Sequence, residues 1–184
     1  SRLTSFQSQT RSVGLLLNGQ YGFKDKYLFN AGLRGDGNSR FGPENRYGLF
    51  PSASFRWRIS GEKFMEKYRK FIDDLSFRAS YGESGNAPRR DYSYFSTYST
   101  FSWTYLGVAG VYPSNMELQD LRWETIVGKN LGLNLSMFKR RITLDVEVYT
   151  NTTKNLFFPG LQISSFTGFD RVDMNVGTME NKGF

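Results

Sequence analysis

Apolar and polar residues alternate with a period of two along most of the chain, which is the pattern of β-strands with two unlike faces. The alternation recurs seven times, over residues 13–23, 27–36, 47–59, 75–82, 122–137, 142–149 and 172–178. It is uninterrupted in residues 142–149, where Ile, Leu, Val and Val alternate with Thr, Asp, Glu and Tyr. We therefore predict an all-β fold of about seven antiparallel strands.

Several predicted strands have ten residues or more, which exceeds the usual length in soluble sheets and suffices to cross a bilayer at a tilt. Their apolar faces tend to end in aromatic residues, as do the lipid-facing strands of outer-membrane barrels. These residues are Tyr21, Phe23, Tyr27, Phe29, Phe55, Trp57, Tyr81 and Trp123. The pattern favours a transmembrane β-barrel wall. A soluble β-sandwich with aromatic residues in its core, used as a carbohydrate-binding module, is the alternative.

The connections between the predicted strands alternate between short and long. Residues 24–26 and 138–141 predict short turns, whereas 37–46, 85–121 and 152–171 predict long loops rich in Gly, Asn, Ser and Pro. Outer-membrane barrels show this asymmetry, with short periplasmic turns and long extracellular loops. The remaining connection, 60–74, has Phe64, Tyr68, Phe71 and Ile72 at helical spacing, which predicts a short amphipathic helix on the barrel rim.

The composition excludes several kinds of chemistry. The 184 residues include no Cys and no His, so disulfides, thiol nucleophiles and histidine-dependent hydrolases are excluded. We expect neither catalysis, nor a metal, nor a cofactor. The net charge of +7 raises nucleic acid as a partner. The basic residues are spread along the whole chain and accompany no recognised nucleic-acid module, so we expect no nucleic-acid binding.

Two sets of residues are candidates for contact with a ligand or partner. Six charged residues lie on the polar faces of predicted strands and are expected to line a wet barrel interior: Arg34, Arg56, Arg58, Arg78, Asp145 and Glu147. The second set lies in the uncharged stretch 92–116, where aromatic rings alternate with Ser and Thr: Tyr92, Tyr94, Phe95, Tyr98, Trp103 and Tyr105. Flat rings suit a sugar face or a protein partner. Packing over the barrel mouth is the alternative for this loop.

Specific strings of residues resemble SusC/RagA-type TonB-dependent outer-membrane transporters. The strings are YLFNAGLRGDGNSRFG at 27–42, NRYGLFPS at 45–52, LSFRASYG at 75–82, LRWET at 121–125 and NLGL at 130–133. Further matches are the Asn-Val-Gly of residues 175–177 and the Asn-Lys-Gly-Phe of residues 181–184. The resemblance runs in the family's order from about residue 13 onward.

This resemblance implies that residues 1–184 belong to one barrel domain, in the C-terminal part of a 22-stranded wall. It implies import of oligosaccharides or peptides through the outer membrane of a Gram-negative bacterium, with outer-membrane lipid around the barrel. A SusD-like surface lipoprotein would cover the mouth, and the TonB complex would act through an N-terminal plug and TonB box that these residues do not contain. The long loops would then face the lipoprotein, which favours partner contact for residues 92–105.

Overall fold

Strands form almost all of the regular structure in the computed structural model, which describes residues 7–88, 91 and 93–184. Four short 3₁₀ segments, Pro43–Asn45, Ile59–Gly61, Lys63–Tyr68 and Ser165–Thr167, lie between strands in this part of the chain. The strands are β1 (Ser12–Phe23), β2 (Tyr27–Asn38), β3 (Tyr47–Arg58), β4 (Ile72–Asn86), β5 (Tyr98–Tyr105), β6 (Val108–Pro113), β7 (Glu124–Met137), β8 (Ile142–Lys154), β9 (Phe157–Gln162), β10 (Arg171–Asn175) and β11 (Thr178–Gly183).

One antiparallel sheet contains seven of these strands in the order β1-β2-β3-β4-β7-β8-β11, which confirms the predicted fold class. Its connections alternate between two ends, as predicted. The turn end carries residues 24–26, 59–71 and 138–141, and the loop end carries residues 39–46, 87–123 and 155–177. The two longest connections, 87–123 and 155–177, lie at the loop end, and the two shortest, 24–26 and 138–141, lie at the turn end.

The register separates the sheet into an apolar face and a polar face. Cross-strand partners share a face, and one continuous row of the apolar face crosses six strands through Phe23, Tyr27, Trp57, Phe77, Leu133 and Val146. Tyr27 and Trp57 stack within this row at 6.3 Å, and Phe29 packs on Phe55 at 4.8 Å in the next row. The aromatic girdle predicted for the apolar face is therefore present at the turn end of β1, β2 and β3.

The apolar band shifts along the strands as the sheet is crossed. Relative to the row that joins Phe23 to Val146, the band on β1 extends ten residues toward the loop end, to Val13. On β8 the band extends two residues toward the loop end, to Val148, and four residues toward the turn end, to Ile142. The band's midpoint thus moves by about six residues, or ~20 Å, over five strand spacings of ~24 Å. A flat bilayer needs strands tilted by ~40° to meet this band, which is the tilt of membrane barrels.

Two hairpins outside the wall correct the strand prediction. The sequence analysis predicts no strands within the long loops, but β5 pairs with β6 and β9 pairs with β10 in separate two-stranded sheets. The predicted seventh wall strand, 172–178, is wrong in position, because its first half is β10 and the wall strand is β11. Gly177 lies between them at φ +83°, a left-handed conformation that suits glycine and interrupts the alternation.

The predicted amphipathic helix at 60–74 is also wrong. Residues 59–61 and 63–68 form 3₁₀ turns, and Ile72 already belongs to β4. Phe64 is 62% exposed and Tyr68 is 50% exposed, although both belong to the predicted apolar stripe. Met65 is the buried side chain instead. The segment is too short for an apolar stripe to pack along the rim. In the described part of the chain no helix is long and apolar enough to cross a membrane.

A small aromatic core joins the long loops at the loop end. Phe41 of the β2–β3 loop is fully buried, and its ring lies 4.5 Å from that of Trp123, which in turn meets Phe50 edge-on at 5.6 Å. Gly48 makes room for this cluster, since a Cβ there would lie 2.6 Å from Phe50 Cζ. Trp123 therefore precedes β7 and packs against Phe41 of the loop and Phe50 of β3, which corrects its prediction as part of a strand-end girdle.

At the turn end, Glu62 ties three elements together. Its carboxylate accepts hydrogen bonds from the Tyr27 hydroxyl at 2.7 Å, the Lys26 ammonium at 3.0 Å and the Trp57 indole at 3.3 Å. The first two of these bonds lower the pKa of Glu62 from 4.5 to about 2. The lowered pKa means that the ionised form holds the 3₁₀ segment against the β1–β2 turn.

We expect Glu62→Gln to loosen the connection 59–71, because the amide loses the charge that attracts Lys26. In the unsubstituted protein the contribution of Glu62 is complete above pH 4.5 and is lost as the pH falls through about 2, since protonation then abolishes the carboxylate. Hydrogen exchange of residues 59–71 measures both effects. The control is Glu66→Gln, whose carboxylate is 62% exposed and 3.9 Å from Arg69. Equal exchange in the two variants would contradict the role of Glu62.

Candidate functional site

The polar face carries the predicted charged residues, and the structure joins most of them to partners. Arg34 Nε donates to Asp36 Oδ2 at 2.6 Å along β2, and Arg58 Nε donates to Asp74 Oδ1 at 3.2 Å between β3 and β4. Asp74 also accepts from the Ser60 hydroxyl at 2.8 Å. These side chains form neutralised pairs rather than isolated cations.

Arg56 and Arg78 lie directly opposite each other on neighbouring strands. Two like charges in this position destabilise a sheet unless opposite charges lie nearby. The compensation comes from both sides. Arg78 Nη2 donates to Asp145 Oδ1 at 3.1 Å, and Arg56 Nη2 lies 3.9 Å from Asp74 Oδ2. Glu147 occupies the same row as Arg56 and Arg78, two positions from Asp145. The structure therefore places five of the six predicted charged residues in one cluster nearer the turn end, with Arg34 apart from it.

Two adjacent rows without a charge cross the polar face on the loop side of this cluster. The first contains Asn18, Gly32, Ser52, Gly82, Gly128, Asn151 and Asn181, and the second contains Gln20, Asn30, Ser54, Ser80, Asn130, Tyr149 and Gly183. Apart from Tyr149, these residues are glycines or carry short hydroxyl and amide side chains. The middle of the polar face is therefore smooth, neutral and hydrogen-bonding.

The aromatic segment is organised as a projecting hairpin. Tyr92 lies outside the described residues, and Tyr94 and Phe95 precede the hairpin with rings 4.0 Å apart. Tyr98, Trp103 and Tyr105 lie on β5 and are 68%, 64% and 75% exposed. Phe101, which belongs to the same aromatic stretch, packs between Trp103 and Tyr112 at 4.9 and 4.6 Å. The hairpin thus carries a charge-free aromatic surface that is exposed in this segment.

Polar side chains fix the base of this hairpin. The Asn115 amide accepts from Thr97 N at 2.7 Å and donates to Phe95 O at 2.8 Å, which closes the hairpin at its root. Asp91 lies just before it and accepts from Arg40 Nε at 2.6 Å and from the Thr10 hydroxyl at 2.7 Å. The hydrogen bond from Arg40 is the main reason why the pKa of Asp91 is below its ordinary value. Asp91 therefore links the β2–β3 loop to the root of the β5–β6 hairpin.

The second hairpin is anchored on the wall by residues that the sequence analysis missed. Asn175 accepts from Arg122 N at 2.8 Å and donates to Asn155 O at 2.8 Å, so it bridges the two long loops. Glu124 accepts from Phe157 N at 3.2 Å. In the sequence both residues lie on the polar faces of predicted strands, and only the three-dimensional arrangement shows that they orient β9 and β10.

The comparisons with known proteins agree with this geometry. The family model "TonB dependent receptor-like, beta-barrel" matches residues 2–184. The chain belongs to this family. It is 39% identical to TonB-dependent receptor P39 of Formosa agariphila over 89% of the chain and 16% of that receptor. It is 28% identical to TonB-dependent receptor SusC of Bacteroides thetaiotaomicron over 98% of the chain and 18% of that receptor.

Among solved structures, one of the RagAB peptide transporter superposes with a TM-score of 0.83 at 28% identity. The match covers 95% of this chain and 19% of the transporter chain. The chain thus spans less than a fifth of the length of these relatives. Membership of the TonB-dependent receptor barrel family confirms the resemblance found in the sequence, and the single seven-stranded sheet replaces the β-sandwich alternative, which needs two sheets face to face.

One groove on this TonB-dependent receptor barrel segment lies on the apolar face. It measures about 670 Å³ and is lined by small residues, among them Ala31 and Ala53, between aromatic side chains such as Phe29 and Phe55. The groove lies within the tilted apolar band. Its surroundings suit acyl chains rather than a polar nutrient. The surfaces with hydrogen-bonding chemistry are the polar face of the wall and the two loop-end hairpins.

Proposed function

We propose that the protein containing this chain is an outer-membrane, TonB-dependent importer of oligosaccharides or peptides that acts with a SusD-like surface lipoprotein. The chain supplies seven tilted strands of the barrel wall. Residues 1–184 form part of a single barrel domain, and the plug and the TonB box belong to other parts of the whole protein. The observation that carries the proposal is the superposition on the RagAB peptide transporter over 95% of the chain.

The two faces of the sheet support the assignment of sides. The apolar face contacts outer-membrane lipid, since its band fits a bilayer only at a barrel-like tilt. The polar face surrounds the plug and the transported molecule, with the ion-paired cluster of Arg56, Arg58, Arg78, Asp145 and Glu147 toward the periplasm. The loop end, which carries both hairpins, faces the outside. The exposed rings of the β5–β6 hairpin contact the lipoprotein.

The partner role of this hairpin is tested by co-purification of the lipoprotein with the full-length transporter. The triple variant Tyr98→Ala, Trp103→Ala and Tyr105→Ala removes three exposed rings, and we expect it to lower the recovery of lipoprotein by about tenfold, because aromatic anchors dominate such interfaces. The control, Phe64→Ala with Tyr68→Ala, removes exposed rings at the turn end. Equal recovery in the two variants would show that the hairpin does not hold the lipoprotein.

The importer assignment itself is tested in cells. The full-length protein is expected to fractionate with the outer membrane and to require detergent for extraction. Growth on its nutrient is expected to depend on the TonB complex. Recovery as a soluble monomer, or growth that persists without TonB, would refute the proposal.

A further inference from the structure

The net charge of the chain is concentrated at the turn end of the sheet. The three turn-end connections, 24–26, 59–71 and 138–141, contain nine basic and three acidic residues, so they carry +6 of the total charge of +7. The three loop-end connections are far longer, but they contain six basic and six acidic residues and carry no net charge. Basic residues that are spread along the sequence therefore leave one end of the wall strongly positive.

Contacts join the turn-end connections into one surface. Phe138 N donates a hydrogen bond to Phe71 O at 2.9 Å, and the two rings meet edge-on at 6.2 Å. Close to this contact, Arg140 N donates to Asp73 Oδ2 at 2.9 Å. On the other side, the hydrogen bonds of Glu62 join the 3₁₀ segment to the β1–β2 turn. The charges of the three connections thus belong to a single continuous surface.

Most of these cations have no counter-ion within the segment. Lys26 pairs with Glu62 at 3.0 Å, and Arg69 lies 3.9 Å from Glu66. The other seven basic side chains of the turn end are exposed and form no ion pair among the described residues: Lys24, Lys63, Lys67, Lys70, Lys139, Arg140 and Arg141. The predicted arginines of the polar face, in contrast, all lie beside carboxylates. Unpaired like charges repel one another, so an external anion would stabilise the turn end.

The basic turns begin where the apolar band ends. On β1 the band ends at Phe23, and Lys24 follows with its Nζ 5.0 Å from the centre of the Phe23 ring. On β8 the band ends at Ile142, and Arg141 directly precedes it. Aromatic residues at the end of a lipid-facing band lie at the depth of the lipid headgroups. The cations therefore lie at this depth or just beyond it.

Exposed aromatic rings are interleaved with the cations. Residues 63–71 read KFMEKYRKF, and Phe64, Tyr68 and Phe71 are exposed in this segment. Phe138 is also exposed and directly precedes the basic run 139–141. Lys and Arg side chains mixed with aromatic rings are typical of surfaces that bind anionic membranes, because the rings enter the headgroup region while the cations attract the phosphates.

We propose that the turn end binds the headgroups of anionic phospholipids, such as phosphatidylglycerol, in the periplasmic leaflet of the outer membrane. Lys and Arg side chains supply charge-assisted hydrogen bonds to the phosphate. An acidic protein partner fits less well, because the cations directly continue the lipid-facing band at both β1 and β8. This inference rests on the proposed function, which places the turn end toward the periplasm.

Native mass spectrometry of the detergent-solubilised full-length transporter tests this proposal, since it resolves single lipid-binding events. The probes are dioleoyl-phosphatidylglycerol and dioleoyl-phosphatidylcholine, which have the same acyl chains and differ in headgroup charge. We expect the tightest sites to bind phosphatidylglycerol about tenfold more tightly. The triple variant Lys139→Gln, Arg140→Gln and Arg141→Gln is expected to remove most of this preference and to leave phosphatidylcholine binding unchanged.

Two further variants make the comparison specific to the turn end. The same loss is expected from a triple variant in the β3–β4 connection: Lys63→Gln, Lys67→Gln and Lys70→Gln. The matched control neutralises three exposed cations at the loop end: Arg122→Gln, Lys154→Gln and Arg171→Gln. Loss of the preference in both turn-end variants, with the control unchanged, supports the proposal. The shift in gel mobility between folded and unfolded barrels verifies that each variant is folded.

The proposal is overturned if the two lipids bind equally, if both turn-end variants keep the preference, or if the loop-end control loses it to the same extent. A poly-glutamate peptide that binds the turn end more tightly than phosphatidylglycerol would assign this surface to an acidic protein instead. Outer-membrane localisation and TonB-dependent growth do not require a headgroup preference. They would persist if this inference alone is wrong.

Discussion

Replacing Phe41 by alanine is expected to lower the free energy of opening of the loop end by up to about 3–5 kcal/mol, the usual cost of emptying a buried phenylalanine site. Phe41 is fully buried, and its ring packs on Trp123 at 4.5 Å. The cavity would lie between the β2–β3 loop and the segment that enters β7. The β5–β6 hairpin lies in the connection that ends at Trp123, so the loss would loosen the surface on which the proposed partner contact depends.

Hydrogen exchange followed by mass spectrometry on the full-length transporter measures this opening. We expect exchange at residues 39–46 and 118–124 to accelerate by roughly a hundredfold or more, with the wall strands unaffected. Phe166→Ala is a matched control, because the same side chain is removed from a position that is fully exposed. Unchanged exchange in both segments of the Phe41 variant would show that the cluster does not hold the loops.

The wall was predictable because each strand of a membrane barrel has one face toward lipid and one toward the interior, so apolar and polar residues alternate with a period of two. Apolar residues at every second position of β8, for example, have no other explanation than one wet and one dry face. The same rule assigned Arg56, Arg78 and Asp145 to one face before their pairing was known. Asp74, the partner of Arg58, was not predicted because the alternation indicated a strand that begins at residue 75, whereas β4 begins at Ile72. Asp74 and Arg78 are four residues apart, so their side chains lie on the same face of β4.

The loop-end surfaces were less predictable for a physical reason. Alternation identifies a strand but does not say which sheet it joins, so Val172 and Met174 were assigned to the wall rather than to β10. The β5–β6 hairpin has a bulge between Thr100 and Thr104, which interrupts its period. The β9–β10 hairpin is held by Asn175 and Glu124, whose hydrogen bonds to Arg122 and Phe157 span 53 and 33 residues of sequence.

The assignment of the apolar face to lipid leads to the second large expected effect. Ala53 and Ser54 are neighbours near the middle of β3, similar in size, and their side chains lie on opposite faces. Ala53→Arg would place a charge in the middle of the apolar band, and we expect it to destabilise the folded barrel in a bilayer by about 2–4 kcal/mol. Ser54→Arg would place the same side chain in the neutral rows of the polar face, where water and polar groups solvate it.

The two variants are compared by urea unfolding of the full-length transporter in lipid vesicles, followed by the shift in gel mobility between folded and unfolded barrels. A lower unfolding midpoint for Ala53→Arg than for Ser54→Arg is expected. The reverse order would mean that the faces are assigned the wrong way round, and equal midpoints would contradict the lipid contact altogether. Because the two positions are adjacent, differences in strand, depth and backbone environment cancel, and the comparison isolates which side of the wall is dry.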